Sequence, residues 1–173
     1  HDDGIQVFLF NVGTGTVRDV TLRGNIILAR ETDGLPFPNG LQGIGCFDGP
    51  LVHFTVEKNL VGVNHYHGVS LYDAQGRTIQ DNACFSRWPG RARPWVMLGQ
   101  KKNQAAGNTV RNNFADSFNF KADAEVKAEN NREVSETVFN QKLNALAAFI
   151  DGQFGQLHPT AKRPRLEAKP AQR

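Results

Sequence analysis

The chain has 173 residues, with 20 Lys and Arg against 17 Asp and Glu and a formal net charge of +3. That length suits one sizeable core rather than two domains. No apolar run approaches the roughly 18 residues of a membrane-spanning helix, so no membrane insertion is expected.

The charge is unevenly placed. From His158 to Arg173 the chain carries Lys162, Arg163, Arg165, Lys169 and Arg173 against the single acid Glu167, so the preceding body is close to one net negative charge. Attraction to nucleic acid or another polyanion is therefore expected to begin in this tail.

In chain order, Ile5–Phe10 is β-rich, Asn11–Gly15 is turn-forming, and Thr16–Leu22 alternates like a second strand. Ile26–Ala29 makes a third, Asp33–Gly40 is too dense in Gly and Pro for a regular element, and a long surface loop is expected through about Pro50. Leu51–Val56, Val61–Tyr72 and Arg77–Ile79 resume the strand pattern, with Asp73–Gly76 as a tight turn. After Gly107 the texture changes. Lys121–Glu129, rich in Ala, Glu and Lys, predicts a helix, and Asn130 with Glu133 reads as a capping box opening a second one along Val134, Phe139, Leu143, Leu146 and Ile150. No internal repeat is visible. The expected architecture is mainly β: an antiparallel β-sandwich or partly closed barrel with one or two packed C-terminal helices over residues 1–157, and a flexible basic tail over 158–173.

Asn64-His65-Tyr66-His67-Gly68 carries the most chemistry. On a regular strand, His65 and His67 share a face with Val69 and Leu71, and Tyr66 points away with Ser70 and Tyr72. Two neutral imidazoles so placed can hold one divalent metal, with His53 as a third ligand if its strand pairs alongside. The alternative is two histidines hydrogen-bonded to strand neighbours. The run Val63–Leu71 resembles the metal-binding strand of the HUH endonucleases, which nick single-stranded DNA through a tyrosine. That resemblance implies a metal-dependent nuclease centred on His65 and His67. The family's nucleophile stands on a later helix before a lysine, and the matching segment here, Phe118-Asn119-Phe120-Lys121, has no hydroxyl. His1 permits a second metal reading, being similar to the terminal histidine of secreted copper proteins with a histidine brace, such as lytic polysaccharide monooxygenases.

A second candidate surface combines Arg87, Trp88, Arg91, Arg93 and Trp95 with Lys101 and Lys102. Arginines neutralise phosphates and tryptophans offer a face to a base or a sugar. With Lys162, Arg163 and Arg165 this predicts a non-catalytic binding or assembly module for nucleic acid, or a secreted or virion-surface domain recognising glycan or protein. The alternative is two core tryptophans at the ends of a loop. Ala161–Glu167 resembles a short basic nuclear-import signal. Cys46 and Cys84 would support secretion if paired, the start at His1 reads as a processed or trimmed product, and an open strand edge permits a homo-oligomer. No dinucleotide fingerprint, Walker lysine or Gly-x-Ser-x-Gly elbow is present.

Overall fold

The structure, a computed structural model, describes residues 2–9, 14–29, 40–86, 92–100, 105–122 and 124–133. All regular structure among them is strand, and every pairing is parallel. The first coil runs through β1 (Asp2–Val7), β2 (Val17–Arg18), β3 (Thr21–Arg23) and β4 (Ile26–Leu28). The second holds β5 (Leu41–Cys46), β6 (Leu51–Val52), β7 (Thr55–Glu57) and β8 (Leu60–Gly62), and the third β9 (His67–Tyr72), β10 (Ala74–Gln75), β11 (Thr78–Gln80) and β12 (Ala83–Phe85). The fourth has β13 (Trp95–Gly99), β14 (Ala105–Arg111) and β15 (Phe114–Ala115), and the last β16 (Ser117–Phe120), β17 (Ala124–Glu129) and β18 (Arg132–Glu133).

Each strand pairs with its counterpart one coil away, building sheets in the orders β1-β5-β9-β13-β16, β2-β6-β10-β14-β11-β7-β3 with β17 on β14, and β18-β15-β12-β8-β4. This is a parallel β-helix, in which each coil is one repeat and contacts its neighbours above and below. It replaces the antiparallel sandwich. The crossover that parallel strands require is supplied by the other strands of the same coil rather than by a helix. Asp73 and Gly76 are not a hairpin turn but two corners flanking β10. The helix expected over Lys121–Glu129 is instead β17, because Asn108, Val110 and Arg111 of β14 pair with Val126, Ala128 and Glu129, and sheet pairing overrides a weak local propensity. Asn130 and Glu133 belong to the last corner and β18, so they do not form a capping box. The rest of the second helix and the tail lie outside the described residues.

Inside the coils, like side chains stack in register. Ile5, Ile44, Val69, Val96 and Phe118 form one column, and Leu22, Val56, Ile79 and Val110 another. Each fully buried aliphatic side chain contributes roughly 1.5–3 kcal/mol. One inward position is discordant. Arg77 is buried, lies over the Phe54 ring at 5.1 Å and donates to the Leu51 carbonyl, while its Nε and Nη1 have no partner. Cys46 and Cys84 are free and buried, and burial pushes the thiol of Cys46 up to about 12 and that of Cys84 upward as well.

The corner before the third sheet is held by an asparagine ladder. Gly24, Lys58, Asp81, Asn112 and Asn130 all have positive φ, and each is followed by a ladder residue: Asn25, Asn59, Asn82, Asn113 and Asn131. The backbone N–H and Nδ2 of each of the first four donate to Oδ1 of the next at 2.9–3.0 Å. Intervals of 34, 23, 31 and 18 residues separate them, so the repeat has no fixed period.

Candidate functional site: an aromatic cluster on the first sheet

The outer face of the first sheet is shaped by three glycines. Gly4, Gly43 and Gly68 stand directly before the core residues Ile5, Ile44 and Val69, yet a Cβ on each would run into the interior, at Ile27, at Val61 and at the Cys84 sulfur respectively. Two successive residues thus face inward, a local irregularity of the bulge kind, and between β9 and β13 the register slips by one: Trp95 pairs with His67, but Val96 with Val69. The Tyr66 carbonyl anchors this slip by accepting from Gly68 N at 3.0 Å and Trp95 N at 2.8 Å.

The slip corrects the expected face assignment. Val69 and Leu71 enter the core, whereas His67 turns outward with Ser70, its Nδ1 lying 2.9 Å from the Ser70 hydroxyl. Trp95 Nε1 donates to the same oxygen at 3.1 Å. An indole nitrogen only donates, so the hydroxyl hydrogen is available to His67 Nδ1. Ser70 is fully buried and positions the two rings rather than acting as a nucleophile.

His65 belongs to the turn before β9, which Asn64 ties down by accepting from Leu41 N at 2.9 Å. His65 Nδ1 accepts from the His67 backbone N–H at 3.1 Å, and burial lowers its pKa below the ordinary 6.5. Around these groups the rings converge. Tyr66 lies 4.0 Å from His65, 4.4 Å from His67 and 4.8 Å from Trp95 between centroids, and Phe47 is edge-on to His67 at 5.0 Å. Tyr66 is 42% exposed, so the cluster opens to solvent there.

His65 and His67 are therefore brought together, their rings stacked at 5.3 Å. His53 is not beside them. It occupies the corner between β6 and β7 with positive φ, in line with Asp19 below and Gly76 above, and its Nδ1 is 3.2 Å from Asp19 Oδ1. Among the described residues no group of three His, Cys, Asp or Glu side chains is placed to hold a metal ion. Phe118–Phe120, the segment matched to the nucleophile helix of the HUH endonucleases, is strand β16, with Phe118 and Phe120 packed against the core.

Of the arginine-tryptophan segment, Trp95 joins the ring cluster. Arg93 is engaged, donating to the Asp116 carbonyl and pairing with Glu133 at 2.5 Å. Arg87, Trp88, Arg91, Lys101, Lys102, Lys162, Arg163 and Arg165 lie outside the described residues, as does His1. No described helix is long and apolar enough to cross a membrane.

Sequence reasoning missed Asp3, Gln42 and Phe47. Asp3 pairs with Gln42 across β1 and β5. Asp3 Oδ1 lies 3.2 Å from the place a Gly45 Cβ would take, where the Phe47 ring also sits. The available signal was the repeated polar-Gly-aliphatic step in Asp3-Gly4-Ile5, Gln42-Gly43-Ile44 and His67-Gly68-Val69. Together these features define a parallel β-helix with an aromatic, acid-flanked ring cluster on one lateral face. Comparison of the chain with protein families, with characterised proteins and with solved structures finds no match.

Proposed function

We propose that the protein is a binding module for a carbohydrate chain, held across the ring cluster formed by Tyr66, Trp95, His65, His67 and Phe47. One observation carries this reading: a solvent-open ring cluster stands on a sheet whose five strands contain no Lys or Arg and two Asp. An aromatic face suits the C–H face of a sugar or the π-face of a base, but a nucleic acid also brings phosphates that need cations. This surface offers acids instead. Nucleic-acid binding would have to draw its cations from the basic segment and the tail.

Titration of intrinsic tryptophan fluorescence with gluco-, manno- and chito-oligosaccharides tests the reading. Tyr66→Ala is expected to weaken binding at least tenfold while leaving the circular dichroism spectrum intact. Equal affinity of the variant and the parent, or no response to any sugar, would overturn it.

A further inference from the structure

The described stack ends in unpaired strand edges on both sides. Among the described residues, β1 to β4 and β16 to β18 each pair along one edge only, and an unpaired edge is a template for another strand. Exposure follows the edges. Ile5, Val7 and Leu22 are only partly buried, whereas Ile44, Cys46 and Val56, their partners one coil in, are fully buried. At the other end Ala128, the last residue of the column through Val110, is exposed. The asparagine ladder stops in the same way. Among the described residues nothing donates to Asn25 Oδ1, while Asn131 Nδ2 gives one hydrogen to the Val110 carbonyl and its other hydrogen and the Asn131 N–H have no acceptor.

We infer that the last coil of one copy docks on the first coil of a second copy, head to tail. The two ends match position by position. Continuing each register sets Phe118 and Phe120 against the second copy's Ile5 and Val7, and Ala128 against its Leu22, so three apolar columns run on. Glu129 meets the second copy's Arg23, repeating the ion pair that Arg23 makes with Glu57 inside the chain. The Asn131 N–H and Nδ2 meet the second copy's Asn25 Oδ1, the contact that links every other step of the ladder. These contacts need opposite ends, since a head-to-head approach would reverse the strands and set one Asn25 acceptor against the other. In β18 the match is poorer, because Arg132 and Glu133 fall opposite Ile26 and Ile27, so the contact rests on the first two sheets and the ladder. A contact of this heterologous kind does not close on itself, and copies add into an open fibre.

Sedimentation velocity of the full chain over a wide range of concentrations, with electron microscopy at the highest, tests this. The expected result is a mass that keeps rising with concentration, and unbranched fibres. Glu129→Arg and Arg23→Glu should each weaken association at least tenfold by setting like charges across the contact. An equimolar mixture of the two variants should restore it, because each end then meets the opposite charge. Ala128→Glu, at an exposed position, should also weaken association at least tenfold without altering the circular dichroism spectrum, and it stands in for Arg23→Glu if losing the Glu57 pair unfolds that variant. A monomer at every concentration, a dimer that does not grow, or undiminished association in folded Glu129→Arg and Ala128→Glu would each overturn the proposal.

Discussion

Asn82 donates both its backbone N–H and its side-chain Nδ2 to one oxygen, Oδ1 of Asn113, at 3.0 and 2.9 Å. The second Nδ2 hydrogen goes to the Val56 carbonyl at 2.9 Å in the coil on the other side. A single amide thus bridges three coils at a buried corner, where water cannot replace it.

Asn82→Ala is therefore expected to destabilise by about 3 kcal/mol, since Asn59 loses the acceptor for two donors and the Val56 carbonyl loses its donor. Asn25→Ala, at the end of the ladder, should cost less than half as much. Urea denaturation of both variants checks the order; equal losses would mean that the ladder adds no more in the middle than at its end.

Gly68→Ala should destabilise by about 1–3 kcal/mol or more, because the new methyl meets the Cys84 sulfur and lies 2.9 Å from the Trp95 carbonyl oxygen. Adding Cys84→Ala should restore only part of the loss, since the second obstacle is backbone. Melting temperatures of the single and double variants measure this, and the tryptophan fluorescence should shift in both as Trp95 moves.

Acid should weaken the fold through His65. Burial holds its folded pKa below 6.5, so between the two values the unfolded chain binds more protons. The stability that the neutral ring preserves is full above about pH 6.5 and is lost as the pH falls toward the folded value. Protonation at Nδ1 would also remove the acceptor of the His67 N–H. His65→Gln should therefore lose fewer degrees of melting temperature than the parent between about pH 7.5 and pH 5.

Arg77→Met should leave stability unchanged or raise it by about 1–4 kcal/mol, because it removes a buried cation with two unpartnered nitrogens while preserving much of the volume. Arg77→Ala should destabilise by leaving a cavity. A urea midpoint lower for Met than for the parent would show that the attraction of Arg77 to Asp73 outweighs the burial of its charge.

The strands around Ile5, Val17 and Leu51 were legible in the sequence, but β5, where a surface loop is expected, β17, and the pairing were not. An antiparallel hairpin and a β-helix corner use the same chemistry, a residue with positive φ between short apolar runs. Asp73-Ala74-Gln75-Gly76 satisfies both readings, and only its partners, Leu51 and Val52 on one side and Ala106 on the other, decide between them. The repeat was present in Gly24-Asn25-Ile26, Lys58-Asn59-Leu60, Asp81-Asn82-Ala83 and Asn112-Asn113-Phe114. Its uneven spacing hid it, because the intervening loops vary in length and the stacked corners do not. The histidine cluster stood out as a candidate from its residues, but its geometry did not. Strict alternation put His67 with Val69, and the inward glycine between them separates the two faces.

The ladder has a direction. Every bond from one asparagine Oδ1 accepts from the preceding coil, so the side-chain carbonyls point toward the first coil and the backbone N–H groups they receive point toward the last. Such aligned bonds polarise one another, and their dipoles add along the stack as peptide dipoles do along a helix. The positive pole falls at Asn131, where Asn112, Asn113, Phe114, Asn130 and Arg132 line a groove of about 530 Å³. The two ends of the described stack are therefore electrically unlike even where their residue charges balance, and the end at Asn131 favours oxygen acceptors.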